Sequence, residues 1–264
     1  MAVDLETAEV YYAAALSGDK ELQDVFIRMR NNPEAYSDFH STIAHMVFKL
    51  DCSPKEVKKL FPHLRQAAKA ISFGILYGSG PQKVADTVNA ALLEAGLVPN
   101  CTKADAEGYI KDYFEKFPKL ERWIKQCHNQ IKTDGFIYNF YGRKRRLRNI
   151  NSPDRSIASA ELRSGFNAVI QSVSSDCLLT GVMDAEQEIR DRGLDVKIFA
   201  LVHDSCVAEV REDLVDTYLE LLQRCIQSTK PTIEGCPIGV GLDGIHTDYA
   251  CGKLEKQYPE IAAC

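Results

Sequence analysis

The sequence predicts an α+β fold in which a mostly helical stretch is inserted between strand-forming ends. Three features of the 264 residues carry that expectation. Met1–Asp4 reads as the end of a strand that leads into helical apolar spacing at Val10, Ala13 and Ala14. The middle of the chain is dominated by helix starts and helical periods. Near the other end, VKIFALVHDSCVAEV is two apolar β-runs meeting at His203-Asp204. Strands at both ends with helices between them are the pattern of segregated layers.

In chain order, DFHSTIAHMVFKL after Ser37 has a helical period, and Ser53-Pro54-Lys55-Glu56 is a capping box with proline at the first helical position. A longer helix is expected from His63 to Tyr77, interrupted at Gly74. Thr102-Lys103-Ala104-Asp105 starts another, expected to continue through YIKDYFEKFPKLERWIKQ until Gly135 breaks it. FIYNFYGRKRRLRNI alternates like a hairpin with Tyr141-Gly142 at its turn. Residues 156–190 form the longest helical stretch, and DLVDTYLELLQRCI is an amphipathic helix. There is no internal repeat and no low-complexity linker.

Composition narrows the class without naming a function. The chain is 45% hydrophobic and 26% charged, an ordinary globular mix. Its formal net charge of -5 gives no overall positive field, so any nucleic-acid contact rests on local basic patches. Nine cysteines, among them Cys52, Cys101, Cys177 and Cys251, form no C-x-x-C pair and are odd in number. That argues against a disulfide framework or zinc knuckle and for reduced thiols. No apolar run spans a bilayer and MAVDLETAEV has no signal-peptide pattern, so a cytoplasmic protein with no membrane partner is expected.

Arg65, Lys69, Phe73 and Tyr77 recur every fourth residue in RQAAKAISFGILYG. Each such step drifts only about 40° around a helix, so two cations and two aromatics share one broad face. A solvated basic turn followed by core aromatics would account for any one pair. The full string resembles motif B of the family A (DNA polymerase I-like) DNA polymerases, R-x-x-x-K-x-x-x-F-G-x-x-Y-G, at every fixed position through Gly74 and Gly78. The resemblance implies that Arg65 and Lys69 hold the phosphates of an incoming nucleotide, with Lys69 counted among the catalytic groups. It places Phe73 by the sugar and Tyr77 beside the templating base. Cations suit a triphosphate and flat rings suit stacking.

His203-Asp204 alone could be an exposed hairpin turn. Beside motif B it resembles motif C, H-D-E, and DLETAEVYYAAALSGD resembles motif A, D-Y-S-Q-I-E-L-R followed by L-S-G-D. Asp4 and Asp204 then become paired carboxylates holding two magnesium ions (Mg2+), with manganese (Mn2+) as a substitute, about 3.5–4 Å apart. Leu5 would lend its backbone carbonyl to the metal. Glu9, blandly an exposed helix residue, falls at the position that crowds a ribose 2′-hydroxyl. Asp38-Phe39-His40 resembles the D-I-H before motif B, which makes His40 a contact to the outgoing phosphates.

Arg163, Asn167 and Gln171 also recur every fourth residue, as a surface polar stripe would. They match the family's R-x-x-x-N-x-x-x-Q run, which faces the minor groove of primer-template DNA. Acceptors there occur at every base pair, so donors test geometry without reading sequence. His203 would approach the primer terminus from the same side. RKRRLR, with Arg143, Lys144, Arg145 and Arg146, is a charge run that matches the family's G-R-R-R stretch and would grip phosphates.

The resemblance implies an antiparallel palm sheet with an inserted helical fingers subdomain: palm at 1–23 (motif A), fingers at 24–155 (motif B) and palm again at 156–264 (motif C). No thumb or exonuclease domain is expected within the chain. Ser205, Thr7 and Tyr11 depart from the glutamate of motif C and from the glutamine and arginine of motif A. The implied activity is addition of dNTPs to a primer 3′-hydroxyl on a DNA template, in a bacterial host cell if phage-encoded. A chain opening three residues before Asp4 suggests a fragment or one half of a split enzyme, with an N-terminal half carrying the thumb, with or without an exonuclease, as partner. Unpaired strand edges are then expected near Met1. His-Asp-Ser is also what bacteriophage-type single-subunit RNA polymerases carry, and a non-catalytic primer-template-binding fragment and a metal-dependent nuclease stand as further alternatives.

Overall fold

The computed structural model describes residues 1–36 and 38–245; Ser37, Cys251 and the end of the 156–264 segment lie outside them. The chain divides into two compact units, one of residues 1–8 with 174 onward and one of residues 9–173.

The first unit is built on a four-stranded antiparallel sheet. Its strands are β1 (Ala2–Glu6), β4 (Val196–Val202), β5 (Ser205–Val210) and β6 (Gly239–Gly244), in the order β4-β5-β1-β6. Strand alternation sends Val3 and Leu5 into the core and leaves Asp4 and Glu6 on the other face. The expected unpaired edge near Met1 is not there: β1 is an interior strand, hydrogen-bonded to β5 on one side and β6 on the other. The strand that closes this side is β6, GVGLDG, whose glycines conceal its strand character in sequence. Helix α10 (Val215–Gln227) packs beside β6 and buries Tyr218, Leu221, Leu222, Cys225 and Ile226. Gly181, in the C-terminal half of α9 (Arg155–Arg192), lies so close to α10 that a Cβ there would meet Ile226 Cα at 2.5 Å.

The second unit is helical. It holds α1 (Ala8–Ser17), α2 (Lys20–Asn31), α3 (Phe39–Phe48), α4 (Pro54–Leu60), α5 (Pro62–Leu76), α6 (Pro81–Glu94), α7 (Lys103–Lys116), α8 (Pro118–Asp134), the hairpin β2 (Phe136–Tyr138) and β3 (Lys144–Arg146), and the start of α9. The mixed fold is thus the α+β arrangement expected, with helices between strands at the two ends. Two local expectations are corrected. Gly74 does not interrupt α5, which runs on to Leu76; the turn is made by Gly78, whose φ of 68° is costly for any side chain. The helix begun at Thr102 ends at Lys116, because Pro118 cannot continue it and instead occupies the first turn of α8. The capping box at Ser53 and Glu56 and the stop at Gly135 (φ 69°) are as expected, and Asp38 caps α3 by accepting from Ser41 N–H.

Asp19 ties this unit together. Its carboxylate, 1% exposed, accepts from Leu22 N–H at the start of α2 and from Lys119 and Leu120 N–H at the start of α8, at 3.2, 2.8 and 3.0 Å. One side chain therefore caps two helices a hundred residues apart in sequence. Tyr11, which departs from an arginine of motif A, is 2% exposed and meets Tyr12 and Phe26 edge-on. An arginine at so buried a position would need a partner charge; a tyrosine fills it with ring.

Candidate active site

The first cluster belongs to the sheet unit. β4 and β5 are joined by the two residues His203 and Asp204, with Val202 paired to Ser205 across the turn. His203 takes a φ of 59°, a left-handed conformation that tight hairpins require and that histidine tolerates better than β-branched residues. Asp4 sits directly opposite Ser205, and Leu5 N–H reaches the Asp204 carbonyl at 3.3 Å. The two aspartates predicted from separate ends of the sequence are therefore neighbours across adjacent strands. Asp4 Oδ1 also accepts from Leu5 N–H at 2.8 Å. Ser205 shares the outer face with Asp4; a carboxylate there would set like charge against like charge in a directly opposed pair, which is unfavourable. Among the described residues no group of three or more His, Cys, Asp or Glu gathers into a metal cage.

Sequence reasoning did not find Glu6. Its side chain lies over β6, where Gly239 and Gly241 pair with β1: a Cβ on Gly239 would overlap the Glu6 carboxylate, and one on Gly241 would lie 3.0 Å from Glu6 Oε1. The alternating glycines of GVGLDG were the available signal.

The second cluster belongs to the helical unit. Arg65, Lys69 and Phe73 share a face of α5 and Tyr77 follows as its C-cap, where Phe73 and Tyr77 are nearly parallel with centroids 6.3 Å apart. His40 joins them from α3, its ring 5.7 Å from Phe73. Burial, reinforced by the charges of Arg65 and Lys69 and opposed by Asp38, lowers the His40 pKa to about 4, so the imidazole is neutral. Its Nδ1 is buried without a hydrogen-bond partner. Arg65 Nε lies 3.2 and 3.1 Å from the two oxygens of Asp38, the residue that caps α3, and this pairing was not foreseen. Asp38 is held below the usual carboxylate range by bonds from Arg65 and Ser41, which outweigh the larger single effect of burial.

Tyr77 connects three motifs. Burial, together with the charge of Glu9 on α1 and opposed by Gln171 on α9, pushes the pKa of its phenol up to about 12. Beside it, Gly78 lets the Arg163 stem approach; a Cβ would meet Arg163 Cγ at 3.3 Å. Arg163, Asn167 and Gln171 line one concave surface together with Arg145 of the hairpin. Arg143, Lys144, Arg145 and Arg146 are all exposed on that hairpin. Asn139 organises its turn: the side chain accepts from Tyr141 and Arg143 N–H at 3.0 and 2.8 Å and donates to Ser172 of α9 at 2.9 Å.

The comparisons with known proteins agree in direction. The family model described as DNA polymerase family A matches residues 1–243. The chain is 61% identical to the DNA polymerase of Escherichia phage T5 over 99% of its own length and 32% of the relative's. It is 25% identical to the thermostable DNA polymerase I of Thermus aquaticus, covering 92% of this chain and 26% of that one. Its fold superposes with a TM-score of 0.72 on the POL domain of an M. smegmatis protein in complex with DNA primer-template and dNTP, at 24% identity over 91% of this chain and 38% of that one. The chain thus spans about a third or less of the curated relatives it matches. With a model match over most of the chain, these 264 residues belong to DNA polymerase family A.

Proposed function

We propose that this chain carries the fingers and most of the palm of a template-directed DNA polymerase that adds dNTPs to a primer 3′-hydroxyl. The observation that carries the reading is the β1–β5 register, which sets Asp4 opposite Ser205 and so beside Asp204. Two carboxylates without a protein cage suit magnesium, which keeps several waters and is completed by substrate phosphates. Asp4, Asp204 and the Leu5 carbonyl would hold it, with manganese as a substitute. Bound there, two such ions supply activation of the primer hydroxyl and charge neutralisation at the departing pyrophosphate.

The protein's own groups do the rest. Arg65 and Lys69 bind the nucleotide phosphates, and neutral His40 donates one hydrogen bond to them. Phe73 and Tyr77 flank the sugar and the templating base. Glu9, near enough to Tyr77 for its charge to help raise the phenol pKa, crowds a 2′-hydroxyl and so favours dNTPs. Arg163, Asn167, Gln171 and His203 face the primer-template minor groove, and Arg143 to Arg146 grip its phosphates. The thumb, and any exonuclease, would be supplied outside these 264 residues, by a longer polypeptide or a separate half, in the host cytoplasm; no helix among the described residues is long and apolar enough to cross a membrane.

The test is primer extension by the chain supplied with the rest of its polymerase: magnesium-dependent use of dNTPs is expected, and failure to extend any primer would refute the reading. One observation favours a second reading, the His203-Asp204-Ser205 turn shared with single-subunit RNA polymerases. Equal use of rNTPs in the same assay would establish it.

A further inference from the structure

The hairpin β2–β3 carries more than the basic run. On its outer face Phe136 and Tyr138 stand opposite Arg146 and Lys144, and Lys144 Nζ lies 3.6 Å from the Phe136 ring centroid and 5.5 Å from that of Tyr138. At its turn Phe140 and Tyr141 meet edge-on with centroids 5.4 Å apart. Tyr138, Phe140 and Tyr141 are 47%, 53% and 43% exposed, an unusual share of ring for one short hairpin. The segment FIYNFYGRKRRLR has five cations and no acid, in a chain whose net charge is -5. Beneath the hairpin, Ile137, Asn139, Arg143 and Lys144 line an open pocket of about 450 Å³ with Val169 and Gln171 of α9.

Gripping duplex phosphates needs only the cations. Exposed rings interleaved with them are the arrangement that holds unpaired bases, because every base has a face to stack while the backbone follows the positive groove. The rings are also held in place rather than loose. The Asn139 side chain fixes the turn, and Gly142, with φ 79°, permits its tightness. We propose that this hairpin is a stacking platform for single-stranded DNA, with Phe140 and Tyr141 as the stacking rings and Arg143 to Arg146 as the phosphate contacts. The proposal rests on and deepens the polymerase reading by adding unpaired bases, held by the rings, to the phosphates that the cations of the hairpin grip.

The experiment compares three fluorescent probes by anisotropy: a short oligo-dT, a blunt duplex, and an abasic strand that keeps the phosphates and lacks the bases. The variant Phe140→Ala/Tyr141→Ala is expected to weaken oligo-dT binding about tenfold to a hundredfold, the range of one to two lost stacks, with duplex and abasic binding unchanged. Phe140→Trp/Tyr141→Trp should restore it. Equal losses on all three probes, or no loss on oligo-dT, would overturn the proposal, the second being the result if the rings seat a protein instead. If oligo-dT binding falls as stated while the assembled protein extends no primer, the platform stands and the polymerase reading falls. Normal extension with unchanged oligo-dT binding has the reverse meaning.

Discussion

Replacing Asp19 tests whether one buried carboxylate holds the helical unit together. Asp19→Ala removes three acceptor contacts and leaves three helix-start N–H groups, those of Leu22, Lys119 and Leu120, with nothing in reach. Losing an N-cap costs about 0.5–2 kcal/mol, and each buried donor left bare costs about 1–3 kcal/mol, partly the same energy counted twice. The negative charge at two helix N-termini adds some tenths of a kcal/mol each. Together these give about 3–5 kcal/mol, a large share of a typical domain stability of roughly 5–15 kcal/mol. Asp19→Asn keeps one acceptor oxygen and the shape, so about half that loss is expected. Urea unfolding followed by circular dichroism at constant temperature measures both variants. A loss below about 1 kcal/mol for alanine, or asparagine as damaging as alanine, would show that α2 and α8 do not depend on this shared cap.

On the proposed reading, Asp204→Asn removes a metal ligand and not a DNA contact, so it should cut single-turnover nucleotide addition at least about a hundredfold while leaving primer-template affinity within twofold. Glu9→Ala should raise rNTP incorporation relative to dNTP and lower the Tyr77 pKa from about 12, because the charge that helps raise it is gone; spectrophotometric titration of the phenol reads the second effect. Neutral His40 has a folded-state pKa below the unfolded value of 6.5, so its contribution is fully present above pH 6.5 and is lost as pH falls towards 4. Wild-type stability should accordingly drop by roughly 2–3 kcal/mol more than that of His40→Gln between pH 7.5 and pH 4.5, and parallel pH profiles would contradict the assignment. Gly239→Ala should displace the Glu6 side chain from β6 and destabilise the sheet, whereas Glu6→Ala/Gly239→Ala should recover most of the loss in a double-mutant cycle.

Much of this arrangement is legible in the sequence because helix period and strand alternation report directly on which side chains share a face. Arg65 to Tyr77 and Arg163 to Gln171 are examples: spacing by four needs no tertiary information to be aligned. The hairpin turn at His203-Asp204 and the capping box at Ser53 are equally local. What escaped depends on partners far away in the chain. Strand β6 could not be seen because GVGLDG has three glycines, no aromatic residue and a single β-branched one, Val240, and its first two glycines make sense only once Glu6 is known to lie over them. Pairing of Arg65 with Asp38 crosses 27 residues, and the Asp19 bonds to α8 cross about a hundred. The break between α7 and α8 was missed for another reason: the aromatic periodicity of YFEKFPKL continues across Pro118 although the backbone cannot.

The surroundings of Tyr77 give these separate motifs a common physical meaning. Glu9 and Gln171, from two helices distant in sequence, both act on the Tyr77 phenol, and the Tyr77 ring is stacked in turn on Phe73, which meets His40. A phenol raised to about 12 stays protonated throughout the working pH range, so it can donate to Glu9 while accepting from Gln171. On the proposed reading, the group that would exclude a 2′-hydroxyl and a residue of the stripe that would face the minor groove thus act on the same phenol. Sugar selection and base-pair geometry would then not be independent properties of the site.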